Sequence, residues 1–398
     1  MKVSLILNAY IGPGVKGGAG AEGYQLAVDL YRRNILGKVF CYGIGNNTPL
    51  PESMVVPFCS PGIMSASLRT LTSATKRYPR LRARRIIEQW MDKHYCQYLD
   101  QAAGDVIYSP KPLYPRTFAK ARKHGIKIVV ETSVLHPRYN LDVVTEERKR
   151  LNLRGACGYT DSVRVKYIED ALEKADHIIA WSHFIRDSYV KYGVSENKIV
   201  AGGKECEPPG VDMERFQPQQ RDNNHRFVVL HMSSITVIKG VQYLLEAWQK
   251  VSRKIKGELS IVGMLDKDMR TIRRRDSQPG VKWIGPTTDP EVYYNNASVF
   301  VSPSLSDAGP RTVLESMACG VPAIISDRCG ISTSIDNGRN GFIYHYNDVR
   351  RLAELIEWSY MNRDKLKIMG SEALDTVKKY SVKNYSADVC DRIYTLIK

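Results

Sequence analysis

No stretch of the 398 residues stays apolar for the ~18 positions that a membrane-spanning helix needs. The opening MKVSLILNAY lacks the long apolar segment and small-residue cleavage site of a secretory signal, so a cytosolic chain is expected. The eight cysteines, at 41, 59, 96, 157, 206, 319, 329 and 390, include no CxxC pair, which excludes a thioredoxin-like motif and a short-spaced zinc cage. Reduced thiols and no metal are expected. No repeat of 20 to 50 residues is present, which sets a solenoid aside. Acidic side chains are missing from two windows: 69–85 carries seven basic residues and 110–127 carries six.

What is present is a folded chain, 43% hydrophobic, whose length exceeds one hydrophobic core and implies two domains. The net charge of +16 is uneven: residues 1–209 hold 31 basic and 20 acidic side chains, the remainder 27 and 22. An anionic partner fits this surplus, as does a solvated surface. Nucleic acid fits less well, because no recognition module or aromatic platform accompanies the charge. Short β-type runs alternate with helical patterns: 3–8, 38–43, 105–109, 126–131, 177–181 and 198–201, then 226–231, 258–262, 281–284, 298–302, 322–326 and 341–344. Such alternation gives parallel sheets built from right-handed crossovers. The polar, proline-bearing stretch 204–226 reads as a linker between domains 1–209 and 210–382, an α/β pair of Rossmann-like domains expected to face each other across a cleft. A helix over 80–99 places Ile87, Trp90, Met91, Tyr95 and Tyr98 close to one face, and Arg80, Arg82, Arg84 and Arg85 cluster at its start. Cations there oppose the helix dipole, so an anionic membrane or acceptor is one expected partner of these arginines and solvation the other.

Gly18, Gly20 and Gly23 spell GxGxxG behind the first apolar run. A dinucleotide fingerprint needs its first glycine tight against the strand end and an acidic residue at the tip of the second strand. Here Gly18 stands eight residues beyond Tyr10, and the second strand, KVFCYGIGNN, has no Asp or Glu. The ribose reader of a dehydrogenase is missing. A glycine-rich loop opening a helix near 20–34 remains, either approaching an anion with its amides or using glycine for backbone angles.

In the second half, Val241, Leu244, Leu245, Trp248, Val251 and Ile255 form a helical stripe with Lys239 at its start. The segment PSLSDAGPRTVLESMACGVPAIISD repeats the arrangement: a loop over 303–311, a short helix near 312–319 starting at Arg311, and Gly320 as its stop. Two cations at helix starts in one domain suggest a shared anion such as a diphosphate. Asp307 in the loop and Glu315 in the helix, eight positions apart, are carboxylates suited to vicinal diols of a sugar and a ribose.

The stretch DAGPRTVLESMACGVPAI resembles the acidic, seven-residue, acidic signature of family four retaining glycosyltransferases (glycosyl transferases group 1) of the GT-B fold. PGVDMERFQP, ADHIIAWSHFIRDSYVKYGVSENKIV and GISTSIDNGRNGFIYHYNDVRRLAELI extend the resemblance over about 175–360. It implies a hexosyltransferase-type enzyme that moves a sugar from a nucleotide-diphosphate sugar, a co-substrate rather than a cofactor, to a glycan or lipid-linked acceptor. Cell-surface polysaccharide or glycolipid synthesis is the expected setting, in the cytoplasm or peripherally at the inner face of the membrane. Carried over by residue, Lys239 binds the diphosphate and Asp307, where the family usually has glutamate, contacts the donor sugar. Gly309, Pro310, Arg311, Thr312 and Val313 present backbone to sugar and phosphate, Glu315 binds the ribose, and Ile284 and Pro286 flank the base. Gly17 and Gly18 match paired glycines near the donor phosphate, and the last helix, 383–398, returns to the first domain. The family's arginine before the lysine is replaced by Ser234, and the cleft histidine is matched by His136, about five residues beyond the strand tip. Asp266 and Asp268 of DKD read as a solvated loop. A GT-B nucleotide-sugar epimerase and a non-catalytic sugar-nucleotide binder are the alternatives.

Overall fold

The computed structural model describes residues 1–15, 18–58, 80–101, 104–155, 157–201, 210–219, 226–275, 278–380 and 382–397. Gly17, residues 69–79 of the first basic window and most of the expected linker lie outside them. The chain forms two compact units: Met1–Leu141 with Gly155–Cys206 and Lys383–Lys398, and Asp142–Arg154 with Glu207–Val382.

The first unit is built on a parallel sheet in the spatial order Val55–Pro57, Leu36–Cys41, Val3–Ile6, Val106–Ser109, Lys127–Thr132, His177–Ala180 and Ile199–Ala201. The second is built on Val281–Ile284, Gly257–Val262, Phe227–Met232, Val299–Ser302, Ala323–Ser326 and Gly341–Tyr344, also parallel. Every expected strand is present. Their central members are apolar and buried on both faces, as parallel strands between helical layers must be. Val55–Pro57 and a short pair, Tyr10–Ile11 with Gly43–Ile44, were not expected. They are two or three residues long, too short for an alternating pattern to show.

Five helices matter for the site and its surroundings: α1 (Arg80–Tyr98), α2 (Pro137–Arg150), α3 (Val241–Val251), α4 (Arg311–Ala318) and α5 (Val382–Ile397). The α3 stripe is buried throughout, with Leu244 and Trp248 in the core of the second unit. Val389, Cys390 and Ile393 of α5 are buried in the core of the first unit, and Asp391 pairs with Arg33.

The α1 face differs from the expectation. Met91 and Tyr95 are buried, but Trp90 is 55% exposed and Tyr98 39% exposed. The inward positions go instead to Glu88 and Asp92, both buried. Asp92 accepts from the backbone N–H of Arg116 at 3.0 Å and of Thr117 at 2.9 Å, capping the helix Pro115–Lys123, whose own preceding residue, Tyr114, makes no side-chain cap. Burial pushes the Asp92 carboxyl upward, and these donors oppose the shift. Glu88 accepts from Arg84 at 3.0 Å and Arg164 at 2.9 Å, and Arg85 lies 3.5 Å from Asp161. Arg84 and Arg85 therefore meet carboxylates of their own unit, and the side chains of Arg80 and Arg82 lie outside the described residues.

Candidate donor site at the strand ends of the second unit

In an open parallel sheet whose strand order reverses, ligands bind beyond the carboxyl ends of the strands at the reversal. In the second unit that point lies between Phe227–Met232 and Val299–Ser302. Lys239 follows the first of these strands and Asp307 the second, and their side chains form an ion pair. Sequence reading put both residues in the site without predicting that they touch.

The Lys239 turn is fixed by backbone. Val237–Lys239 forms a single 3-10 turn ending at Gly240, whose φ of 72° suits glycine. A Cβ on Gly240 would fall 1.7 Å from the Pro303 carbonyl oxygen, and Leu305 N–H donates to the Ile238 carbonyl at 2.8 Å. The two loops are thus clamped together below the ion pair. Asp307 is fixed likewise: its N–H donates to the Arg328 carbonyl at 3.0 Å, its carbonyl accepts from Gly330 N–H at 2.8 Å, and its Oδ1 accepts from Gly309 N–H at 3.3 Å.

Arg311 is the first residue of α4, and Glu315 lies one turn further on. The Glu315 carboxylate accepts from Tyr294 Oη at 2.7 Å. Burial raises its pKa, opposed by the Tyr294 hydroxyl and Arg311. Val313 N–H is engaged by the Pro310 carbonyl at 3.0 Å, and proline has no N–H, so Gly309 to Val313 do not all offer amides. Ser234 is exposed, Ile284 is half-buried at the end of its strand, and Pro286 is exposed beyond it.

His231, beneath the pair, escaped sequence reading. Its Nδ1 donates to the Val301 carbonyl at 2.8 Å, which leaves Nε2 to accept from Ser233 Oγ at 2.8 Å in the neutral ring. Burial lowers its pKa to about 4, with Lys239 acting in the same direction and the Val301 carbonyl and Asp307 against it. An apolar run with one histidine gave no signal for this.

His136 lies in the first unit and is 2% exposed. Its ring stacks on Tyr192 with centroids 5.0 Å apart, meets Tyr189 edge-on at 5.2 Å, and accepts at Nδ1 from Arg138 N–H at 3.3 Å. Burial lowers its pKa to about 4. These contacts make it a packed residue at the start of α2. The first unit's glycine pattern is also explained by packing: a Cβ on Gly20 would come within 2.5 Å of the Tyr10 carbonyl oxygen, and one on Gly23 within 2.8 Å of Leu7. Gly18 opens that helix, Gly18–Arg32, two residues earlier than expected. Nor is DKD a solvated loop. Asp266 accepts from Met269 N–H at 2.8 Å, and Asp268 is buried in an ion pair with Arg148.

Residues 226–362 match the family model described as Glycosyl transferases group 1. Among curated relatives, the capsular polysaccharide biosynthesis glycosyltransferase CapM of Staphylococcus aureus is 29% identical over 201 residues, 46% of this chain and 52% of that protein. A D-inositol 3-phosphate glycosyltransferase of Pseudarthrobacter chlorophenolicus is 28% identical over 42% of this chain and 43% of its own. The matches thus span about half of each relative or less. Over 99% of the chain, the fold is similar to a sucrose-phosphate synthase from Thermosynechococcus elongatus (98% of that chain, TM-score 0.69, 16% identity). It is also similar to Anabaena HepE in complex with UDP and glucose (99% of each chain, TM-score 0.65, 16% identity). The fold is GT-B.

Proposed function

We propose that this protein, whose residues 226–362 match the glycosyl transferases group 1 model and whose fold is GT-B, moves a sugar from a nucleoside-diphosphate sugar to an acceptor hydroxyl. The observation that carries the reading is the meeting of Lys239 and Asp307 at the strand-order reversal, with Glu315 one turn into the adjoining helix. Breaking the anomeric bond leaves negative charge on the departing diphosphate and positive charge on the sugar ring. Lys239 Nζ is a compact cation for the former, and its turn is rigid before any ligand arrives, so stabilisation needs no reorganisation of the protein. The start of α4 adds backbone dipoles of the same sign. Asp307, released by Lys239 as the phosphate takes over that cation, is a carboxylate beside the developing charge on the sugar. Glu315, braced by Tyr294, accepts from the ribose hydroxyls.

Retention of anomeric configuration follows from the resemblance to the family. A glycan or lipid-linked acceptor in surface-polysaccharide synthesis fits the names of the curated relatives, and UDP is the nucleotide held by the Anabaena protein. The basic first unit is the surface we assign to an anionic acceptor or anionic lipid. No helix among the described residues is long and apolar enough to cross a membrane.

The test is a screen of UDP-, GDP- and ADP-sugars against glycan and lipid extracts, read by mass spectrometry of products. Donor consumption that requires an added acceptor, giving a product one sugar heavier, supports transfer. Steady conversion without acceptor identifies an epimerase, and binding without conversion a sugar-nucleotide binder.

A further inference from the structure

Gln242, in the first turn of α3, is 3% exposed. Its Nε2 donates at 3.0 Å to the Val237 carbonyl, inside the turn that carries Lys239, and at 3.0 Å to Glu147 Oε1. Glu147 belongs to the stretch Asp142–Arg154, which groups with the second unit although the chain on both sides of it builds the first. Its Oε2 accepts from Tyr243 Oη at 2.9 Å, and the Arg150 guanidinium donates to its Oε1 at 2.7 Å. The neighbouring Arg148 is buried in its pair with Asp268. Two side chains of α3, Gln242 and Tyr243, therefore meet on Glu147, and Gln242 carries the link on to the turn before the helix.

This arrangement is unusual for one that merely fills space. The Gln242 amide spends both of its N–H donors on Val237 and Glu147, while its Oε1 is buried without a hydrogen-bond partner among the described residues. A leucine would pack there without orphaning an acceptor. What glutamine supplies is a bridge: one amide reading both the backbone of the Lys239 turn and a buried carboxylate. Lysine has a long, flexible stem, so the region its Nζ can reach is set by the direction in which its Cα is held.

We infer that Gln242 and Glu147 are positioning residues for Lys239, holding its turn so that the ammonium lies where the second phosphate of the donor is bound. The inference rests on the nucleotide-sugar reading given above. Neither residue touches the ligand. Their effect is specific to the phosphate that Lys239 meets, and it extends to a nucleoside diphosphate but not to a monophosphate.

Gln242→Leu and Glu147→Gln, with Gln249→Ala on the same helix as control, are compared with wild type by titration calorimetry with UDP and UMP. Wild type is expected to bind UDP more tightly than UMP. Both variants should lose about tenfold in UDP affinity, part of what one charge-assisted hydrogen bond contributes, with UMP affinity held within about twofold. Hydrogen exchange supplies a readout without nucleotide: amides of Val237–Gly240 should exchange faster in both variants and not in Lys239→Ala. Equal losses for UDP and UMP, or unchanged UDP affinity with unchanged exchange, would overturn the positioning role. Wild type binding neither nucleotide would instead overturn the donor reading on which it rests.

Discussion

In the first unit Arg84 and Arg85 of α1 are answered from within: Arg84 shares Glu88, whose side chain is 3% exposed, with Arg164 of the helix Ser162–Lys174, and Arg85 reaches Asp161. In the second unit Lys239 and Asp307 also pair, but their side chains remain 23% and 11% exposed at the strand ends. Exposure does not separate them, since Arg85 and Asp161 are 25% and 15% exposed. Place does: the first arrangement joins helices around a buried carboxylate, whereas the second joins two loops at the strand ends, where ligands of such sheets bind. A charge surplus counted along the chain thus points to the first unit, whereas the position of one lysine relative to a reversal in strand order points to the second. The proposed site therefore rests on strand topology and not on charge density.

The contrast can be broken most forcefully through backbone. Gly240→Ala forces a side chain into the Pro303 carbonyl at a positive φ, and should cost the second unit ~3 kcal/mol or more, with loss of nucleotide binding. A denaturant midpoint equal to wild type would show that the clamp between the two loops is dispensable.

Acid should weaken both units, because His136 in the first and His231 in the second are buried neutral. His136 and His231 have folded pKa values of about 4 against an ordinary 6.5. The unfolded chain then binds more protons between those values. Their stabilisation is fully present above pH 6.5 and falls away as pH drops toward 4, by about 3 kcal/mol each. Urea unfolding at pH 7.5 and 5.0 checks this, and His136→Phe with His231→Asn should flatten the difference.

Asp307→Asn sharpens the comparison. Removing the internal partner of Lys239 should tighten UDP by about threefold to tenfold, equivalent to roughly 1 kcal/mol, while sugar transfer falls. Calorimetry and a turnover assay on the same preparation separate the two effects. Weaker UDP binding would mean that the pair preorganises the lysine rather than competes for it.

The smallest change is expected at Arg85→Gln, whose half-buried pair with Asp161 should contribute at most about 1 kcal/mol to folding and nothing to nucleotide affinity. Salt-dependent binding to anionic vesicles, lost when Arg80, Arg82, Arg84 and Arg85 are all replaced by glutamine, would show that the basic face also acts outward.

The sheets were legible because buried parallel strands are written as apolar runs between helical stripes. Lys239, Asp307 and Glu315 came forward through two cations at helix starts and the resemblance to the family, and their roles toward a donor are the reading proposed above. On α1 the expectation fails at Trp90 and Tyr98, because the inward positions beside Met91 and Tyr95 belong to Glu88 and Asp92, whose partners beyond α1 lie 24 to 76 positions away in the sequence. Asp268 was misread for the same reason: its partner Arg148 is 120 positions distant. His231 and the Glu147–Gln242 bridge were invisible in sequence, since one polar residue in an apolar run or stripe reads as an irregularity until its contacts are known.

The account stands on Lys239 as the cation for a nucleoside diphosphate. Titration of wild type and Lys239→Ala with UDP and UMP tests it most directly. Wild type should bind UDP, and the variant should lose about tenfold to a hundredfold of that affinity, as expected for a hydrogen bond to a charged group, with UMP nearly unaffected. Equal UDP affinity in the two proteins would contradict the account.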